Sequence, residues 1–192
     1  MDSRPTTRDR IVEAARELFW RKGYGSTSIA DILETAKVNS GSLYYFFKGK
    51  QELLIAVLEA YRDGIGPMLL EPAWDGVEEP IERIFALLGS YRRVLVETDY
   101  FYGCPIGSLA LELHGPDPEV RELIAANFSN WIEAVRDCLE QAELANATNR
   151  KALAELVLAV MEGAVMQTRT YRDIGHYDRA VGQLRDYLER LT

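Results

Sequence analysis

The chain has 192 residues, enough for one domain or two small ones, and its 47% hydrophobic and 27% charged composition is that of an ordinary globular protein with a real core. No apolar run approaches the roughly 18 residues of a membrane-spanning helix, and the opening MDSRPTTRDR holds no apolar signal region, so a cytoplasmic protein is expected. The net charge of −8 taken whole argues against nucleic acid, but residues 1–50 carry nine Lys/Arg against six Asp/Glu, a net +3 that leaves −11 on the remainder. A basic head on an acidic body confines attraction for phosphate to one end of the molecule.

Thr7 is placed as the N-cap of a first helix running to Lys22, with Ile11, Ala14, Ala15, Leu18 and Phe19 as its core stripe and Gly23 as its stop. Arg4, Arg8 and Arg10 lie at its start, within reach of a DNA backbone or simply solvated. Thr27 or Ser28 caps a second, two-turn helix with Ile29, Ile32 and Leu33 inward, and backbone N–H groups from Thr27 to Ile29 are available to phosphate. Lys37, Val38 and Asn39 then turn the chain into a third short helix. A 100° step per residue gathers Leu43, Phe46 and Phe47 on its core arc and sends Gly41 and Tyr45 outward, flanked by Ser42 and Tyr44. Two short helices joined by a few residues form a helix-turn-helix, and the small, tyrosine-bearing outer face, followed by Lys48 and Lys50, suits recognition of DNA.

Lys50 to about Ile65 reads as a fourth helix with Leu53, Leu54, Val57, Leu58 and Tyr61 on its apolar face, stopped by Gly64, Gly66 and Pro67, and a loop follows to Glu79. Pro80 opens a fifth helix with Ile81, Ile84, Phe85, Leu88, Tyr91 and Leu95 on one side, and the aromatic turn DYFYGC leads to a short apolar helix at 105–113. Pro118 starts another helix, inward at Val120, Ile124, Phe128, Trp131, Val135 and Cys138. Lys151 to about Arg172 is apolar nearly all round. The last helix carries the stripe Tyr177, Val181, Leu184, Leu188 and Leu191 on an otherwise charged surface. Neither of these two helices is satisfied by packing within one chain, so they are expected to pair with their symmetry mates in a homodimer through Leu156, Val160, Tyr177, Val181, Leu184 and Leu188. No strand signal is present, so the fold class expected is all-α, about nine helices. The expected division is a DNA-binding domain at 1–50 and a ligand-binding and dimerisation domain at 51–192, with 51–65 as connecting lever.

The segments FWRKGY, TSIADI and GSLYYFFKGKQELL, within Ile11–Leu54, together resemble the DNA-binding domain of TetR (tetracycline repressor) family regulators. In that family the residues opening helix two, the first residues and aromatic pair of helix three and the lysine opening helix four contact DNA. The resemblance therefore implies Thr27, Ser28, Ser40, Gly41, Ser42, Tyr44, Tyr45 and Lys50 as contacts, with Lys48 at a variable position beside them. Many members have histidine where this chain has Tyr45 or Phe46, a departure that bears on which bases are read. The segment DYFYGCPIGSLALEL resembles the C-terminal domain of the LmrA/YxaF-like branch. The resemblance implies a homodimer on a double-stranded, pseudo-palindromic DNA operator. It also implies repression relieved by a small hydrophobic or aromatic ligand in an apolar pocket, with Tyr61, Phe85, Tyr91, Phe101, Cys104, Phe128, Trp131, Met161 and Met166 as candidate lining alongside Tyr102.

Other chemistry finds little footing. There is no phosphate-cradling G-x-x-x-x-G-K-[ST] loop and no G-x-S-x-G elbow, and the two histidines, His114 and His176, stand in no metal-ligand spacing with Cys104 or Cys138. No enzyme, metal or cofactor is expected, and the cysteines read as buried thiols. The tripeptides at 127–129 and 146–148 match the glycosylation pattern by chance. The competing reading is a helical ligand-binding or enzymatic protein that has lost DNA binding, against which the basic head, Lys48 and Lys50 argue.

Overall fold

A computed structural model describes residues 5–145 and 148–191; Arg4 and most of the 146–148 tripeptide lie outside the described residues. These residues form ten α-helices and no strand: α1 Thr7–Lys22, α2 Ile29–Ala36, α3 Ser40–Phe46, α4 Lys50–Ile65, the single turn α5 Glu71–Trp74, α6 Pro80–Glu97, α7 Pro105–Glu112, α8 Pro118–Gln141, α9 Arg150–Tyr171 and α10 Gly175–Glu189. Nine have seven residues or more, as the periodicity predicts. No helix among the described residues is long and apolar enough to cross a membrane.

Two compact units result, Met1–Asp63 with Pro105–Asn127, and Gly64–Cys104 with Phe128–Thr192. Their limits follow packing and do not coincide with a cut at residue 50.

In the first unit α1 is capped one residue earlier than the sequence suggested. The Thr6 hydroxyl accepts the Asp9 N–H at 3.2 Å, and the Asp9 carboxylate accepts the Thr6 N–H at 2.9 Å. Such a reciprocal cap stabilises a helix end by about 1 kcal/mol. The stripe of Ile11, Ala14, Ala15, Leu18 and Phe19 is buried together with Ile32, Leu43, Phe47, Leu53, Leu54, Val57 and Leu58. Asn127 at the end of this unit donates its amide N–H to the carbonyls of Leu58 at 3.0 Å and Leu123 at 2.9 Å.

The second unit corrects two expectations. Where a loop was expected after Pro67, the chain stays helical: Gly66–Leu70 is a π-helix and Glu71–Trp74 follows as one α turn. Proline lacks the N–H that a continuing α-helix requires, and its ring crowds the carbonyl four residues back. A wider turn accommodates both defects, and the Glu71 N–H bonds Gly66 O across it. The last helix is also better satisfied than its stripe suggested. Tyr177, Leu184 and Leu188 are buried within this one chain, where α10 packs on α9, and the Tyr177 hydroxyl donates to Leu88 O at 2.8 Å. Arg92 pairs with Asp178 at 2.7 Å, and Arg185 with Glu82, tying α6 to α10.

Candidate nucleic-acid interface

The helix-turn-helix is assembled by caps. Ser28, not Thr27, caps α2: its hydroxyl accepts the Asp31 N–H at 3.1 Å while Asp31 takes the Ser28 N–H at 2.9 Å. The hydrogen bonds from the backbone and side chain of Ser28, aided by Lys22, hold the Asp31 carboxyl down at about 2. At its other end α2 stops on Lys37, which adopts a left-handed conformation (φ 54°, ψ 50°) so that the N–H groups of Lys37 and Val38 close on Glu34 O and Leu33 O. Asn39 then caps α3, its side-chain oxygen accepting the Ser42 N–H at 2.8 Å.

This geometry sets which residues face outward. Tyr45 is 81% and Tyr44 54% exposed, beside exposed Ser40 and Gly41 and half-buried Ser42. Lys48 extends into solvent and pairs with Glu52 only at 3.5 Å. Leu43 and Phe47 are buried as expected. Phe46, assigned to the core arc, is 38% exposed and meets the Tyr45 ring edge-to-face at 4.9 Å. The helix ends at Phe46, and Phe47 is extended (φ −137°, ψ 124°), so the turn inward comes one residue later than helical periodicity dictates.

Two expected contact residues serve the framework instead. Thr27 is 1% exposed, and its hydroxyl donates to Gly23 O at 2.7 Å and Leu18 O at 3.3 Å, knotting the connector between α1 and α2. The Lys50 ammonium donates to the carbonyls of Tyr24 at 2.8 Å and Thr27 at 2.9 Å and lies 4.3 Å above the Tyr24 ring. The N–H groups of Thr27 and Ser28, expected to be open to phosphate, are bonded to Tyr24 O and Asp31.

Sequence reasoning missed Glu112. From the end of α7 its carboxylate accepts the N–H groups of Tyr24 at 2.9 Å and Gly25 at 2.5 Å. Gly23 is required at this point: its φ is +84°, and a Cβ there would stand 2.9 Å from Glu112 Oε2. An acid following LAL carries no local signal of such a role.

The expected ligand residues divide. Phe85, Cys104, Trp131 and Met161 are buried in the second unit, Phe85 beneath the Arg185 guanidinium at 3.7 Å. Phe128 is half-buried there, as is Tyr102, which meets Phe101 edge-to-face at 5.0 Å. Tyr61 belongs to the first unit, under Arg16 at 5.6 Å. Phe101 and Met166, each 53% exposed, do not join the buried set. Of the expected dimer residues, Leu156 is exposed and Val160 and Val181 are half-buried; Tyr177, Leu184 and Leu188 are enclosed by their own chain.

A three-helix head with a net positive charge, whose third helix turns tyrosines, serines and a glycine to solvent, defines a helix-turn-helix DNA-binding protein. Residues 11–57 match the family described as bacterial regulatory proteins, tetR family, and residues 80–183 match the description transcriptional regulator LmrA/YxaF-like, C-terminal domain. The chain belongs to the TetR family of transcriptional regulators. It is 30% identical over 192 residues to an uncharacterized HTH-type transcriptional regulator of Mycobacterium tuberculosis, covering 94% of this chain and 93% of that protein. It is 30% identical over 176 residues to the regulator YxaF of Bacillus subtilis, covering 90% of each. Among solved structures, a TetR transcriptional regulator from Chloroflexus aurantiacus is similar with a TM-score of 0.81 at 28% identity, over 95% of this chain and 94% of that one.

Proposed function

We propose that this regulator is a cytoplasmic repressor that binds a pseudo-palindromic double-stranded operator as a homodimer and is released by a small hydrophobic or aromatic molecule. The observation that carries the reading is the outward pair Tyr44 and Tyr45 on a short helix fixed by the Asn39 cap. In this reading Ser42, Tyr44 and Tyr45 meet base edges. Ser28, Ser40, Gly41 and Lys48 meet phosphates, and Thr27 and Lys50 hold the connector that aims them. Residues 1–50 form the DNA-reading part. Residues 51–192 hold ligand and dimer, with 51–65 as the lever between them.

The dimer forms through α9 and α10, whose outward apolar side chains, Leu156, Met166 and Tyr187 with Val160 and Val181 at their margin, need cover. Ligand binding shifts the dimer toward a state that spaces the two heads wrongly for successive major-groove faces. A coupling of about 1–3 kcal/mol lowers operator affinity roughly 5- to 150-fold.

The test is a gel shift on DNA flanking the protein's own gene, repeated with a panel of apolar and aromatic compounds. Wild type gives a retarded band that a compound in the panel dissolves, and Tyr45→Ala binds with relaxed base preference. Unchanged operator binding by Tyr44→Ala and Tyr45→Ala removes the recognition-helix assignment, and a monomer by analytical ultracentrifugation at micromolar concentration removes the dimer.

A further inference from the structure

The core of the head does not take up Phe46. It is the last residue of α3 and 38% exposed, whereas its neighbour Phe47 is buried with Leu43 and lies 5.4 Å beneath the Arg8 guanidinium. The Phe46 ring is fixed from the protein side by two rings: Tyr45 edge-to-face at 4.9 Å, and Phe47 tilted by 51° at 6.4 Å. With Tyr44 and Tyr45 it makes three consecutive exposed aromatic residues on a helix of seven, a patch and not a scattered side chain.

Its place on the helix says what the outer side of the ring meets. Ser42 stands four residues earlier, one turn away on the same flank, and helical side chains lean toward the N-terminus, so the ring inclines toward the turn of Ser42. A duplex that reaches Ser42 and Tyr45 therefore reaches Phe46. The ring carries no donor or acceptor, so it forms no regular hydrogen bond with a phosphate or with the polar edges of the bases. Of the four bases only thymine presents an apolar group in the major groove, its 5-methyl.

We propose that Phe46 is a specificity-determining residue of operator recognition, whose ring packs against the 5-methyl group of one thymine in each half-site. This rests on the reading that α3 enters the major groove, and it adds an apolar readout to the polar one of Ser42, Tyr44 and Tyr45. Tyr45 has a second task here, since its edge-to-face contact holds the Phe46 ring in place.

The experiment first selects an operator for the full-length protein from a pool of random duplexes. Each symmetry-related pair of its thymines is then replaced by deoxyuridine, which removes the methyl group and keeps every hydrogen-bonding group of the base. Wild type is expected to lose about tenfold in affinity at one such pair, from about fourfold for each methyl. Phe46→Ala is expected to bind the thymine operator about as weakly as wild type binds the deoxyuridine one, and to lose nothing further at that pair. Phe46→Gln, which keeps length and presents an amide, is expected to lose the discrimination as well, with circular dichroism reporting the fold of both variants. A wild type indifferent to every deoxyuridine pair overturns the proposal. So does a thymine-to-deoxyuridine ratio that survives both substitutions, the result expected if Phe46 only braces Tyr45 and truncation weakens both operators alike. A pool in which no sequence is enriched overturns the DNA-reading assignment itself and this inference with it, so the two failures are distinct.

Discussion

The Glu112 carboxylate accepts the backbone N–H of Gly25 at 2.5 Å, across 87 residues of sequence, and its second oxygen takes the neighbouring N–H of Tyr24. The same connector is held through its carbonyls by Lys50, so its donors and its acceptors are gripped by different elements. Its five residues, Gly23–Thr27, set the angle at which α2 leaves α1, and hence where α3 is aimed. Glu112→Ala is therefore expected to speed amide exchange at Tyr24 and Gly25 in particular. The cost should be about 1 kcal/mol, or about 2–4 °C in Tm, because the carboxylate is solvent-exposed and each bond is modest in net terms. Unchanged exchange at these two amides would remove the clamp.

Lys48 and Lys50 are two residues apart and should behave oppositely. Lys48 reaches into solvent with a long pairing to Glu52, whereas the Lys50 ammonium is committed to two carbonyls and a ring. Lys48→Ala should leave Tm unchanged and reduce the slope of log affinity against log salt by about 1, the signature of one lost phosphate contact. Lys50→Ala should lower stability by about 1–2 kcal/mol, with a salt slope close to wild type. Thermal melts paired with gel shifts at several salt concentrations separate the two. Equal slopes for wild type and Lys48→Ala would take Lys48 off the DNA.

The residues that sequence placed correctly are those whose position follows from periodicity alone. Ile11 to Phe19 on α1 and Leu43 on α3 lie within regular helix, so a 100° step finds their face. Phe46 sits at the end of α3, where the backbone leaves helical geometry, and there the rule turns inward a phenylalanine that is 38% exposed. Pro67 was read as a stop because proline breaks an α-helix, which is true of the α form and not of the wider turn the chain uses. Thr27 and Lys50 fit the family's contact pattern, but hydroxyl and ammonium groups are equally good at bonding a nearby carbonyl, and only the folded connector reveals which partner they have.

Lys37 closes α2 in the left-handed region at φ 54°, a conformation that costs a residue with a Cβ about 1–2 kcal/mol and glycine little. Its side chain is exposed and makes no hydrogen bond or ion pair among the described residues. Lys37→Gly is expected to raise stability by up to about 1 kcal/mol, part of the relief being offset by the greater freedom of glycine in the unfolded chain. The corresponding rise in Tm is about 2–4 °C. A fall in Tm would show that the lysine side chain supplies something the turn needs.

Asp31 gives the helix-turn-helix an acid-sensitive cap. Its carboxyl titrates at about 2 in the folded chain against an ordinary value of 3.8, chiefly because it accepts the Ser28 backbone N–H, then the Ser28 hydroxyl, then Lys22. A depressed folded value means that the unfolded chain takes up the proton first as pH falls. The contribution is therefore complete above the ordinary value and is lost as pH drops through the window from about 4 to 2. Asp31→Asn retains an acceptor for Ser28 but does not titrate. In paired denaturant melts the wild type should exceed the variant by a constant margin from pH 7 down to about 5, and the margin should close between about 4 and 2. The other carboxylates titrate in both proteins and cancel in the difference, so a margin that stays constant through that window would show that the bonds to Ser28 do not depend on the charge of Asp31.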